Sequence, residues 1–201
     1  SPILILYVIA FCLCPSVSSG GVLTNVAHTV VPAGFSGEGC VEMHLRSLDS
    51  AYRAADVFRE SGLDPALGRG VNMLNLAEAW PRLGYSLPVA ASRVGRRHLG
   101  AFLAGQWSAM DADLAAGTPW LVRLAPDVEN PTPGFVLVVG RDTNQQTVVY
   151  HDPVQADGAF LSISVAEFEK RWVQQAGFRR HSVFGVPMRR NISTPQATTM
   201  P

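Results

Sequence analysis

The sequence is poor in cysteine, has one lysine and carries no net charge. Its 201 residues include three cysteines, whereas a small protein built on disulfide bonds has about four cysteines or more. The 16 basic and 16 acidic residues cancel, so composition provides no general attraction for nucleic acid. No apolar run reaches the roughly 20 residues of a transmembrane helix. With 47% hydrophobic and 16% charged residues, the chain is too apolar for a disordered protein, and we expect one globular domain.

The N-terminal segment has the pattern of an export signal. An apolar run covers Ile3–Leu13 and is followed by small residues, which is typical of a signal peptide. We therefore expect residues 1–20 to be a signal peptide or membrane anchor with a truncated start, and the protein to be secreted or extracytoplasmic. The alternative is a buried N-terminal strand or helix. If the segment is removed, Cys12 and Cys14 leave with it, and Cys40 is the single thiol.

Apolar periodicity predicts one domain over residues 21–190, with helices first and antiparallel strands second. The tail 191–201 has no apolar period, and we expect it to be disordered. Three-to-four-residue spacing predicts helices, and short β-branched or aromatic runs predict strands. The expected helices are Cys40–Ser61, Met73–Leu83 with Asn72 as cap, Ala109–Ala116 after a Ser108 cap, and one starting at Ser164; the expected strands are Trp120–Leu124, Phe135–Val139, Thr147–Tyr150 and pieces around Arg179–Val186.

Cys40 is the residue whose position suggests chemistry. It follows a glycine-rich loop and, by the periodicity, stands at the N-terminus of the first helix. The free amides and the positive end of the helix dipole would stabilise a thiolate there. The alternative is a small buried hydrophobic residue, which free cysteine often is.

These motifs resemble those of papain-fold cysteine peptidases of the double-glycine, bacteriocin-leader-processing kind. Cys40 with Leu45 resembles the Cys-Gly-Pro-Ala-Ser-Leu pattern of that family, and residues 70–85 resemble its Gly-x-Ser-x-x-Asp-Leu helix. A strand ending at Gly140, the Asp152-Pro153 pair and the capped Phe/Trp helix after Ser164 follow in the same succession. The resemblance implies an α+β, papain-like fold with N-terminal helices packed on an antiparallel sheet.

The resemblance also implies a catalytic set that this chain matches only in part. Cys40 would be the nucleophile and Asp152 the residue that orients the base. The family's histidine position holds Gly134, and the family's glycine after the nucleophile is Val41 here. The loop before Cys40 contains no glutamine to bind the oxyanion.

Three histidines are weak substitutes for the base. His44 lies four residues after Cys40 and so on the same helical face. His151 adjoins Asp152, but successive strand residues face opposite sides, so it should point away from a site that contains Asp152. His28 precedes the first helix, and no geometric reason favours it. Cys40 and His44 are too few for a metal site, so we expect no metal and no cofactor.

Three functions remain open from sequence. The first is a peptidase-like module that binds a peptide or protein in a papain-type cleft with weak or no hydrolysis, because Gly134 replaces the base. The second is an active cysteine peptidase with Cys40, Asp152 and an unassigned histidine. The third is a structural interaction domain without a cleft. We expect no nucleic acid partner and no membrane span beyond the N-terminal segment.

Overall fold

The computed structural model describes residues 21–85, 91–126, 134–176 and 180–189. The predicted signal segment 1–20 and the predicted tail 191–201 lie outside these residues, and both remain predictions. None of the helices in the described part of the chain is long and apolar enough to cross a membrane.

The first predicted helix is in fact two. The described residues contain five α-helices: α1 Ser36–Ser47, α2 Ala54–Glu60, α3 Met73–Arg82, α4 Leu99–Ala115 and α5 Val165–Trp172. The prediction of one helix over Cys40–Ser61 is wrong, because Asp49 adopts a φ of +58°, which α-helices exclude. The Glu42 carboxylate then accepts a hydrogen bond from the Ala54 amide and joins α1 to the start of α2.

The prediction for α4 is also wrong at its start. The helix begins at Leu99, so Ser108 lies inside it and caps nothing. Gly100 and Gly105 lower the helix propensity of the first turns of α4, so the sequence pattern does not indicate that the helix begins at Leu99. Burial of Leu103 and Trp107 against the sheet offsets that cost. By contrast, the predicted Asn72 cap is confirmed, since its side chain accepts from the amides of Leu74 and Asn75.

All strands belong to one antiparallel sheet. The described residues contain β1 Ala91–Gly95, β2 Trp120–Leu124, β3 Gly134–Asp142, β4 Thr147–His151, β5 Leu161–Ser164, β6 Val173–Gln175 and β7 Arg180–Pro187. The order across the sheet is β1-β7-β2-β3-β4-β5, and β6 pairs with β7. The sequence analysis did not predict β1, β5 and β6, because these strands are short or show little alternation of apolar and polar residues.

The sheet is covered on both faces. Side chains alternate along β3: Leu137 and Val139 join the cluster beneath α1 to α3, while Val136 and Val138 join the cluster beneath α4 and α5. This alternation explains why the strand is apolar at every position. The predicted α+β class, with N-terminal helices packed on an antiparallel sheet, is confirmed.

Candidate functional site

Helix α1 begins at Ser36, one turn before the predicted position. Cys40 is its fifth residue, so the prediction that Cys40 heads the helix is wrong. Of the glycines expected in the loop before Cys40, Gly37 and Gly39 lie inside the helix, where they allow close packing. A Cβ on Gly39 would lie 2.7 Å from the Pro153 side chain, and one on Gly37 would lie 3.2 Å from Leu76. Packing, rather than a turn, therefore explains Gly37 and Gly39.

Cys40 has the environment of a core residue. Its side chain has no exposed surface. Burial raises the pKa of the Cys40 thiol well above its ordinary value, and the carboxylates of Asp152 and Glu38 raise the pKa further. A reactive cysteine requires the opposite conditions, namely exposure and nearby positive charge.

A cavity of about 620 Å³ opens where the N-terminus of α1 meets the sheet, and we call it the Ser36 cavity. It is bordered by the start of α1, the loop 69–74 before and into α3, the end of β2, the start of β3 and the loop after β4. Its volume falls in the range of small-ligand sites. Its lining includes Ser36, Arg69, Met73, Leu74, Arg123, Gly134, Phe135, Asp152, Arg171 and Gln174. Cys40 is not among its lining residues.

Ser36 and Gly134 face each other in this cavity. The Ser36 Oγ accepts a hydrogen bond of 2.9 Å from the Phe135 amide. A Cβ built on Gly134 would lie 3.7 Å from Ser36 Oγ, an ordinary contact distance. Gly134, the position expected to hold the catalytic base, therefore lies next to the first residue of α1. That residue is Ser36 and not Cys40.

Sequence reasoning missed Ser36, although one signal was available. The family pattern has glycine directly after its nucleophile, and Gly37 directly follows Ser36. Val41, five residues after Ser36, then occupies the place of the pattern's leucine. Placing Cys40 rather than Ser36 at the cysteine of that pattern moves the match one helical turn along α1.

Asp152 lines the cavity as a largely buried carboxylate. Its Oδ1 accepts from the Val154 amide at 3.0 Å, and its Oδ2 accepts from Gln155 Nε2 at 2.8 Å. Both oxygens are therefore engaged by the loop that follows β4.

None of the three candidate histidines lines the cavity. His151 is buried, with Nδ1 accepting from the Phe160 amide and Nε2 within 2.9 Å of the Val26 carbonyl oxygen. Burial lowers the pKa of His151, so the ring is neutral in this structural role. His28 Nε2 lies 2.9 Å from the carbonyl oxygen of Asp152, not from its carboxylate.

Glu38 connects α1 to the cavity wall. It is fully buried, and its Oε1 accepts a 2.7 Å hydrogen bond from the Val71 amide. Its Oε2 has no hydrogen-bond partner among the described residues. Burial raises the pKa of Glu38, although the hydrogen bond from Val71 lowers it. The Glu38 side chain thereby holds the loop 69–72 against α1.

His44 lies in the core on the far side of α1. Its ring packs edge-on to Tyr85, with centroids 5.9 Å apart. Burial lowers the pKa of His44 to about 4, and the nearby Met188 backbone opposes this shift. Neither ring nitrogen has a hydrogen-bond partner among the described residues. His44 therefore belongs to the hydrophobic core. The described residues contain no group of three or more histidine, cysteine or acidic side chains that could hold a metal ion.

The low pKa of His44 predicts acid lability. The unfolded chain, with a histidine pKa of about 6.5, binds the proton before the folded protein does. The neutral His44 ring therefore contributes about 3 kcal/mol to the free energy of unfolding above pH 6.5. This contribution is lost as the pH falls towards 4. Urea unfolding at pH 7 and pH 4 should show this loss in the wild type and not in His44→Leu. The exposed His98→Leu variant is the control; an equal pH dependence in all three proteins would contradict the prediction.

The comparisons with known proteins give a structural likeness but no sequence match. No protein-family model matches the chain, and no curated protein matches it. Among solved structures, it is similar to the peptidase domain of Streptococcus ComA, a bifunctional ABC transporter involved in a quorum sensing pathway; the TM-score is 0.49 and the sequence identity 14%, over 80% of this chain and 97% of that one.

Proposed function

We propose that this domain binds peptides in the Ser36 cavity and does not hydrolyse them. The observation that carries the proposal is the pair formed by Ser36 and Gly134 at the position where a papain-type enzyme would hold its nucleophile and base. A serine hydroxyl needs an adjacent base to become a nucleophile. Glycine has no side chain to take the proton, and the space next to Ser36 Oγ stays open for a ligand.

No other side chain of the described cavity lining replaces the base. Asp152 uses both carboxylate oxygens for hydrogen bonds within its own loop. The remaining titratable lining groups are arginines, which stay protonated in proteins. Loss of one member of a catalytic triad removes most of the rate, because the members act as a unit.

The cavity surface supports a peptide as ligand. Phe135, Met73 and Leu74 offer apolar contacts, and the Leu74 side chain is 68% exposed at the cavity rim. Polar groups such as Ser36, Arg123 and Gln174 line the same cavity, so its surface combines apolar and polar contacts, as ligand sites do. Cys40, buried beneath α1, takes no part in this function.

A peptide pool tests binding and hydrolysis together. Immobilised protein is incubated with pooled N-acetylated, C-amidated hexapeptides, and retained peptides are identified by mass spectrometry. We expect retention of intact peptides by the wild type and at least about tenfold weaker retention by Gly134→Trp, whose indole would fill the space beside Ser36. Gly100→Trp, on the exposed surface of α4, is the matched control.

Two results would overturn the proposal. Equal retention by the wild type and Gly134→Trp would show that peptides bind elsewhere. Cleaved peptides whose formation ceases in Ser36→Ala would show that the domain is a hydrolase and that a base acts on Ser36.

A further inference from the structure

A row of polar side chains leads from the Ser36 cavity to the edge of the sheet. Gln174 on β6 and Ser182 on β7 both line the cavity, and they are paired across the sheet. Ser182 is also paired with Arg93 of β1. Residues directly opposite each other in antiparallel strands lie on the same face. The sheet face that borders the cavity therefore continues to Arg93, which lies two strand spacings, or about 10 Å, from Gln174.

Arg180 joins Arg93 at this edge of the sheet. It lies two residues before Ser182 on β7 and therefore on the same face. Phe184, two residues after Ser182, lines the cavity, so this face of β7 runs from the cavity to Arg180. Arg93 and Arg180 are diagonal neighbours in the register of β1 and β7, roughly 7 to 8 Å apart along the backbone. Both side chains are exposed, and one ligand group can meet both.

The chain around these two arginines contains no acidic residue. Neither residues 79–110 nor residues 170–201 include an aspartate or a glutamate, and β1 and β7 lie within these two stretches. None of the exposed arginines here has an ion-pair partner among the described residues. We call the four of them the basic edge, and they are Arg93, Arg96, Arg97 and Arg180.

The helix that packs against β1 does not neutralise the basic edge. Helix α4 contacts β1 and the turn that follows it, and its two acidic residues, Asp111 and Asp113, lie in its C-terminal half. Asp111 forms an ion pair with Arg141, and Asp113 forms one with Arg189. The basic edge is therefore a local excess of positive charge on a chain of zero net charge, and it attracts an anionic partner.

An acidic peptide suits the basic edge better than a membrane or a nucleic acid does. The planar fork of arginine binds carboxylates through paired hydrogen bonds. Sites for membrane surfaces add exposed apolar side chains to basic ones, and sites for single-stranded nucleic acid add aromatic side chains. Among the described residues, none of the exposed large hydrophobic side chains belongs to β1, to the turn after it or to β7. The cavity proposed to bind peptides, by contrast, adjoins the basic edge through Ser182.

We infer that the peptide bound in the Ser36 cavity extends across β6 and β7 and places an aspartate or glutamate side chain at Arg93 and Arg180. The acidic residue lies about three residues from the part of the peptide beside Gln174, since an extended chain rises about 3.3 Å per residue. Arg96 and Arg97 add long-range attraction for the same peptide. This inference rests on the proposed function and adds the chemical class of its ligand.

The amidated hexapeptide pool identifies the ligand group, because its carboxylates belong only to aspartate and glutamate. We expect these two residues to be enriched among the peptides that the wild type retains. The most strongly retained peptide is then resynthesised with its acidic residue replaced by the corresponding amide residue. Fluorescence anisotropy measures the dissociation constant of both forms, and we expect the acidic form to bind about tenfold more tightly.

Variants locate the carboxylate on the protein. Arg93→Gln and Arg180→Gln should each weaken binding of the acidic peptide by about threefold, and the double variant by about tenfold, as expected for ion pairs at exposed positions. Binding of the amide form should be unchanged. Arg59→Gln removes the same charge from an exposed position on α2 and is the matched control. Thermal melting of each variant shows whether it is folded.

Charge reversal provides a second test of the same contact. The double variant Arg93→Glu and Arg180→Glu should bind the peptide more tightly when its acidic residue is replaced by lysine, because the sign of the basic edge is then inverted at both contacts. An unchanged preference for the acidic form would contradict the inference.

The outcomes separate this inference from the proposed function. Retention without a preference for acidic residues, but lost in Gly134→Trp, would overturn the inference and leave peptide binding intact. Weakening by Arg59→Gln as strong as that by Arg93→Gln would also overturn it. Binding to vesicles of phosphatidylcholine and phosphatidylserine that is lost in the double glutamine variant, with peptide affinity unchanged, would assign the basic edge to a membrane and overturn the inference. Retention of no peptide would overturn the proposed function and the inference with it.

Discussion

The Cys40 thiol is expected to resist iodoacetamide throughout pH 5 to 9 as long as the protein is folded. The side chain is fully buried and burial raises its pKa well above the ordinary value, so alkylation requires local or global opening. An opening free energy of about 4 kcal/mol or more makes the reaction about a thousandfold slower than that of an exposed thiol. Peptide mapping by mass spectrometry measures alkylation at Cys40 separately from Cys12 and Cys14.

The unfolded protein supplies the control for this experiment. In concentrated urea, Cys40 should be alkylated at the rate of an ordinary thiol with a pKa of about 8.5. Rapid alkylation of the folded protein at low pH would indicate a stabilised thiolate. That result would restore Cys40 as a nucleophile and contradict its assignment to the core.

Alanine at position 70 is expected to destabilise the protein by about 3 kcal/mol and to weaken peptide binding. A Cβ there would overlap the Gly34 carbonyl oxygen and would lie 2.8 Å from Glu38 Oε1. Backbone cannot move aside as a flexible side chain can, so the loop 69–72 must shift. That shift breaks the hydrogen bond from the Val71 amide to Glu38 and displaces one wall of the Ser36 cavity.

A second glycine provides the matched comparison. Gly100 lies on α4, and a Cβ there meets nothing within 4 Å, so Gly100→Ala should leave stability unchanged or raise it by about 0.5 to 1 kcal/mol. Urea unfolding measures both variants. Equal stability of Gly70→Ala and the wild type would show that the loop is not held tightly against α1.

Much of the fold could be predicted from local sequence. Asn72 and Ser164 each precede an apolar period, and each caps the helix predicted after it. The uninterrupted apolar run Phe135–Val139 predicted a strand, and the structure covers this strand on both faces. These features depend on local backbone chemistry and on which residues share a face, and both are visible in a single sequence.

The candidate site was predicted less well, because its parts depend on distant contacts. Gly37 and Gly39 are poor helix formers, so local propensity places the start of α1 after them. Their helical conformation is stabilised by packing on Leu76 and Pro153, which are remote in sequence. This error of one turn made Cys40 the candidate nucleophile.

By itself, the sequence determined the α+β class, the absence of a histidine at Gly134 and the balanced charge of the chain. Only the tertiary structure decided that Ser36 heads α1, that Cys40 is buried and that Arg123 and Arg171 share one cavity. The physical reason is that local periodicity reports the backbone and its buried face. The contacts that assemble a site join β2, α5 and α1 across more than a hundred residues, and they form only when the chain is packed.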